Sequence, residues 1–161
     1  HWIRRSRRWK YRCIGKGLKM SDPQQKSYKK YIPNPEGLNL ELHLKAVETG
    51  LLHIQRCLSC DKARQPPRYY CSACFSSEYE FVPVSGEGFM YSFAINHFTV
   101  DRAWIEEVPY VTAVVQLVEG PRVVGALRNA EPQDVNLGDP VLVSVEPRGE
   151  EFAFIWVDKV Q

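Results

Sequence analysis

The chain holds little of what an active site needs. Its four histidines, His1, His43, His53 and His97, are scattered over 161 residues, and none stands with a serine and an acid as a nucleophilic triad would. Gly86-Glu87-Gly88 is too short to be a phosphate-cradling loop. No run approaches the roughly 20 apolar residues of a membrane-spanning helix, so no membrane contact is expected. Acidic residues are missing altogether from positions 1–19, where Arg4, Arg5, Arg7, Arg8, Lys10, Arg12, Lys16 and Lys19 stand. Eight of the 21 Lys and Arg residues lie there. The rest of the chain therefore carries 13 against 19 acidic residues, a net of −6.

A basic arm on an acidic body can bind nucleic acid or anionic lipid. Here Met20-Ser21-Asp22-Pro23 reads as a native start, and the arm reads as a leader that is dispensable for function. Ser6-Arg7-Arg8 lacks the apolar segment that an export signal needs; the Arg-rich, acid-free arm leaves a mitochondrial presequence as an alternative, although its helical amphipathicity is poor.

What the chain does have is cysteine in a pattern. Cys57 and Cys60 form one CxxC pair, Cys71 and Cys74 a second, with ten residues between. Two such turns can supply four thiolates to one tetrahedral zinc. Iron in a rubredoxin-like site and a pair of disulfides are the alternatives. Rubredoxin knuckles carry Gly after the second cysteine, whereas Asp61 and Phe75 stand there, which favours zinc. An all-thiolate site is closed, hence structural rather than catalytic. Paired CxxC turns without a secretory signal fit a reducing, cytoplasmic compartment. Cys13 has no evident partner. His53, four residues before Cys57, is not needed as a ligand once four thiolates fill the tetrahedron.

Along the chain the pattern divides into four stretches: a basic leader and extended lead-in (1–37), a helix (38–52), the cysteine module (53–78) and a β region (79–161). Leu40, Leu44, Val47 and Leu51 recur at helical spacing, with Asn39 as cap and Gly50 as stop, predicting a helix over 39–49. That helix either packs on the next module or binds a partner. Strands are expected at 80–84, 89–99, 110–119, 122–128, 141–146 and 152–158, with Phe89, Tyr91, Phe93, Ile95 and His97 on one side of the second. Gly86-Glu87-Gly88 signals a turn or bulge, 100–109 a loop, and 131–139 one short helical turn. Five or six strands at this spacing predict a small closed barrel, first of all a five-stranded OB-fold. The fold class is therefore mainly β: an N-terminal helix, a zinc ribbon, then an OB-fold barrel.

Several motifs stand in a telling order. Leu51-Leu52-His53-Ile54-Gln55-Arg56 leads into Cys57-Leu58-Ser59-Cys60. Pro66-Pro67-Arg68 and Cys71-Ser72-Ala73-Cys74 follow, then Gly86-Glu87-Gly88 running to Tyr91-Ser92-Phe93. Pro109-Tyr110-Val111, Glu119-Gly120 and Asn136-Leu137-Gly138-Asp139 come after. Over residues 38–158 this resembles the acyl-CoA-associated zinc-ribbon/OB-fold proteins, a family formerly catalogued as a domain of unknown function. The segment Phe152-Ala153-Phe154-Ile155-Trp156 departs from the Pro-Val-Phe-like end of its relatives.

The resemblance implies a rubredoxin-like ribbon and a non-catalytic accessory subunit. Its implied partner is a thiolase-like aldolase or acyltransferase, a hydroxymethylglutaryl-CoA synthase-like protein, or a MaoC-type enoyl-CoA hydratase, in a hetero-oligomer. Steroid side-chain degradation is one setting of such complexes, and acyl-CoA would sit at the interface with the partner.

On this reading Arg102 and Trp104 in the 100–109 loop, Phe98 just before it, and Arg122 and Arg128 flanking a strand are candidates for touching the partner or acyl-CoA. Ile105 and Tyr110, and Tyr69, Tyr70 and Phe75 on the ribbon, add apolar and aromatic surface suited to an interface. The competing reading is a single-stranded nucleic-acid-binding OB protein. From residue 79 onward, however, only Arg102, Arg122, Arg128, Arg148 and Lys159 are positive, fewer clustered cations than backbone neutralisation asks for.

Overall fold

The computed structural model describes residues 30–160. The basic arm, Cys13, the Met20 start and the lead-in as far as residue 29 lie outside the described residues.

Leu38–Thr49 forms helix α1, stopped at Gly50, whose φ of 69° is left-handed and whose N–H bonds to the Ala46 carbonyl. The expected cap differs. Gly37 occupies the cap position without a side-chain bond, and Asn39 lies within the first turn. The expected apolar stripe is also displaced. Leu38, Leu42 and Ala46 face inward, whereas Leu44 and Leu51 are exposed. Both sets have helical spacing, so periodicity alone could not choose between them; the packing against β1, β7 and β8 does.

Strands β1 (His53–Cys57), β2 (Ala63–Arg64) and β3 (Tyr79–Pro83) form an antiparallel sheet in the order β2-β1-β3. The sheet carries the first cysteine at the end of β1. The remaining strands are β4 (Glu87–Asn96), β5 (Tyr110–Leu117), β6 (Arg122–Arg128), β7 (Pro140–Pro147) and β8 (Ala153–Lys159). They close into a barrel in the order β4-β5-β6-β8-β7, with β7 returning to β4 and only β6 and β8 parallel. This is the five-stranded OB-fold.

Strict alternation of buried and half-buried residues along β5 sends Val111, Ala113, Val115 and Leu117 inside. Met90, Val123, Val141, Val143 and Val157 complete the core, and Leu52 and Ile54 of the ribbon side join it. Gly86 is required at the barrel entry. Its φ is 79°, and a Cβ there would lie 2.1 Å from the Val143 carbonyl oxygen.

One register break matters for the surface. The pairing of β4 with β5 shifts between Met90 and Ser92. This bulge ends the single-sided alternation expected from Phe89 to His97. Phe89 and Tyr91 stay on the outside, whereas Phe93 packs against the core beyond the bulge.

Candidate metal centre and binding face

The two CxxC turns are built alike. In the first, Cys57 N–H bonds to the Lys62 carbonyl and Asp61 N–H to the Cys57 carbonyl; in the second, Cys71 N–H bonds to Ser76 and Phe75 N–H to Cys71. Asp61 and Phe75 adopt φ of 61° and 60°, the left-handed conformation that Gly takes at no steric cost. The residues differ from rubredoxin's glycines, but the backbone path is the one those glycines serve.

Gln55, fully buried on β1, helps to bring the second knuckle home. Its Oε1 accepts the Arg64 Nε–H at 2.6 Å and the Arg68 N–H at 2.7 Å, fixing the connection between the pairs. Ser59 Oγ bonds to Ser76 Oγ at 2.8 Å across the two knuckles. The sequence alone does not mark Gln55. A polar residue between Ile54 and Arg56 on a strand looks like a solvent-facing one until the loop folds over it.

Cys57, Cys60, Cys71 and Cys74 are free thiols whose sulfurs all lie within 4.8 Å of one another. Cys57 and Cys74 are 3.6 Å apart and Cys60 and Cys71 3.5 Å, too long for disulfides. A zinc ion with sulfurs at about 2.3 Å sets them about 3.8 Å apart, so the donor set and its spacing fit that ion.

The protein partly prepares the thiolates. Backbone N–H groups of Ala73 and Cys74 hold the Cys71 thiol down at about 6. At Cys57 burial opposes ionisation, yet the Ser59 and Cys60 N–H groups lower its pKa on balance. For Cys60 the Lys62 N–H favours the thiolate, but proton sharing with Cys74 and Cys71 pushes it up to about 12. Four adjacent thiols cannot all ionise without a cation among them. His53 is buried elsewhere, with Nδ1 2.9 Å from the Leu51 carbonyl oxygen, and is not in the cluster.

The other named residues fall on two parts of the barrel. The loop between β4 and β5 contains a short 3-10 turn, Arg102–Trp104, capped by the Asp101 carboxylate on the Ala103 N–H. Phe98 and Val100 project from this loop at 77% and 90% exposure, and Ile105 of the same loop is also exposed. Trp104 turns the other way, into a groove on the outer face of β5, β6 and β8, with the Lys30 ammonium 4.4 Å from its ring centroid and paired to Glu107.

Arg122 and Arg128 are apart from the loop and from each other. Arg122 stacks over Tyr91 at 3.5 Å and donates to Gln116. Arg128 forms a two-pronged pair with Asp158 at 2.7 and 2.9 Å, which raises its pKa. His97 is exposed just past the end of β4 and has no acid-base constellation around it among the described residues.

His43 on α1 was not singled out from the sequence. Its Nδ1 accepts the Ala153 N–H at 3.3 Å and its ring lies 4.7 Å from Phe152, tying the helix to β8. Burial lowers its pKa, so it sits there as the neutral ring.

Comparison with known proteins places this architecture. The description "ChsH2, rubredoxin-like zinc ribbon domain" matches residues 45–80, and "ChsH2, C-terminal OB-fold domain" matches 81–146. A probable enoyl-CoA hydratase alpha subunit of Thermomonospora curvata is 36% identical over 99 residues, covering 62% of this chain and 30% of that protein. A DUF35 domain-containing scaffold protein of Methanocaldococcus jannaschii is 32% identical over 84 residues, 52% of this chain and 59% of that one. The chain thus spans less than two thirds of either relative. Among solved structures, one described as the Ltp2-ChsH2(DUF35) aldolase superposes with a TM-score of 0.70 at 30% identity, covering 80% of this chain and 98% of the matched one. Four clustered thiols on a three-stranded ribbon, followed without interruption by the closed barrel, complete the correspondence: the chain belongs to the ChsH2-type (DUF35) family of zinc-ribbon/OB-fold proteins.

Proposed function

We propose that the chain is a non-catalytic accessory subunit. It docks on and supports a thiolase-like aldolase or acyltransferase, or a MaoC-type enoyl-CoA hydratase, acting on acyl-CoA. A steroid side-chain substrate is one such acyl group. In this reading the helix (38–52) and ribbon (53–78) form one end of the molecule, held by structural zinc on Cys57, Cys60, Cys71 and Cys74. The barrel (79–161) offers the partner its β4–β5 loop, with Phe98 as a contact and Trp104 at the border of the acyl-CoA path.

One observation carries the proposal. Phe98, Val100 and Ile105 are all exposed on a single loop, on a body that is net acidic. An apolar projection of this kind marks a surface that another protein covers. The relatives' names point the same way, being a hydratase subunit, a scaffold and an aldolase complex. The barrel's cations speak against a nucleic-acid role. Arg128, Arg148 and Lys159 are each paired with a carboxylate, and Arg122 lies flat on Tyr91.

The test is co-expression with a thiolase-fold or hydratase-fold enzyme encoded beside the gene, followed by co-purification. A stable complex is expected, and Phe98→Asp should weaken it at least about tenfold while leaving the metal content unchanged. A chain that stays alone, or that shifts single-stranded DNA in a salt-sensitive way, refutes the proposal.

A further inference from the structure

The groove beside Trp104 is a different kind of surface from the projecting loop. It is concave, with a volume of about 640 Å³, within the size range of small-molecule sites. Trp104, Tyr110, Phe152, Phe154 and Trp156 supply much of its wall, with Val124 on its floor. Two of the wall residues are tied in place. Phe154 and Trp156 lie 4.7 Å apart, and the Trp156 indole N–H donates to Glu146 at 2.5 Å. These contacts fix the Phe154 and Trp156 rings within the chain itself.

Its charge decides what it can hold. Glu107 and Glu131 are part of the lining, and no lysine or arginine is. The nearest cations are already engaged: Lys30 by Glu107 and the Trp104 ring, and Arg128, 5.4 Å over the Trp156 ring, by Asp158. Phosphates would therefore find no unpaired cation in the lining and would face Glu131. A neutral apolar body meets flat rings and loses its water.

We infer that the groove receives the acyl body of an acyl-CoA and that the nucleotide end lies off this chain. The inference rests on the reading that the partner acts on acyl-CoA, and it goes further in assigning which end of that molecule this chain touches. Arg122 and Arg128, on this account, brace the barrel surface rather than bind phosphate.

The test uses the purified zinc-loaded chain and its own fluorescence, since Trp104 and Trp156 both line the groove. The probes are methyl octanoate, octanoyl-CoA and free coenzyme A. Methyl octanoate and octanoyl-CoA should perturb the emission saturably, with dissociation constants within about threefold of one another. Free coenzyme A should not displace either. Ala126→Leu and Val124→Phe place bulk in the groove from β6 and should each weaken both acyl probes at least about tenfold. Val124 is an exposed position, so its variant folds if Ala126→Leu does not.

Competition by free coenzyme A, absence of saturable binding, or binding indifferent to the Val124→Phe filling would each overturn the inference. Failure of co-purification with acyl probe binding intact strikes only the accessory-subunit proposal. A stable complex without acyl binding strikes only this one.

Discussion

The barrel and the ribbon are stabilised by different means, although they share one core. In the barrel every strand has two neighbours, and Ala113, Val115 and Val157 are completely buried. Closure leaves no edge, and apolar burial at roughly 25 cal/mol per Å² supplies the driving force. The ribbon has a two-residue strand at one edge, and its knuckles bury little besides Cys57 and Cys71. Leu52 and Ile54 point away from the knuckles into the barrel core. The knuckles are held instead by polar contacts and the thiol cluster: the backbone bonds of the two turns, Gln55, the Ser59–Ser76 bond and the pairing of Arg56 with Asp61 and Glu80. A region so poor in apolar contacts needs a metal for order, whereas the barrel does not.

The strongest test of that contrast is Cys71→Ser. It removes the buried donor that the Ala73 and Cys74 N–H groups prepare as a thiolate. The expected outcome is loss of bound zinc, measured by elemental analysis, together with loss of amide protection over residues 57–78 and a sharp fall in soluble yield. Undiminished solubility and protection without metal would place the ribbon in the same class as the barrel. Met90→Ala cuts into the other region. Met90 is 1% exposed at the centre of the barrel core, so the variant should lose about 2–5 kcal/mol in denaturant unfolding. Below its transition it should retain one zinc per chain. Loss of zinc ahead of barrel unfolding would show that the shared residues Leu52 and Ile54 couple the two regions more tightly than their separate chemistries imply.

The same contrast governs what could be read from the sequence. Cysteine spacing names the thiol cluster because few other arrangements use two CxxC pairs, and β-branched runs such as Tyr110–Leu117 name their strand within a residue or two. The barrel follows from the count and spacing of the strands. Long-range choices were not legible. The helix offers two apolar stripes, and only the folded barrel selects Leu38, Leu42 and Ala46. The β4 bulge leaves no local signature at Tyr91, because it arises from fitting β4 to β5. Gln55 and His43 carry no local signal for the same reason, since their partners lie 9 or more residues away in sequence. The groove is assembled from three strands and a loop, so Trp104 could be named as an exposed aromatic but not as part of a wall.

Phe75 sharpens the comparison from inside the ribbon. It holds the left-handed φ of 60° that closes the second knuckle, at a steric cost that Gly would not bear, and its side chain is 79% exposed. Phe75→Gly should raise ribbon stability by about 1 kcal/mol, seen as slower zinc loss to a chelator. Because strain kept at an exposed aromatic points to use elsewhere, the same variant should weaken the enzyme complex. A variant that is no more stable, or that binds the partner as well as the parent, would leave Phe75 without the role its geometry implies.

The smallest expected effect concerns acid, and it belongs to the barrel. Asp139 accepts from Lys159 Nζ at 2.8 Å and from the Asn136 N–H at 2.9 Å, joining the turn before β7 to the end of β8. Lys159 first, then the Asn136 N–H, holds the Asp139 carboxyl below its ordinary value. The folded state therefore binds this proton less readily than the unfolded chain does. The stabilisation is full above about pH 4 and is lost as pH falls through the lower folded value. Asp139→Asn removes the titration, so its melting temperature should fall less steeply than the parent's between about pH 4 and pH 2. Glu146, lowered mainly by the Trp156 indole N–H, titrates in the same direction and keeps the remaining slope. Parallel profiles for the two proteins would mean that the Asp139 clamp is too loosely held to matter, and that closure of the barrel rests on its apolar core alone.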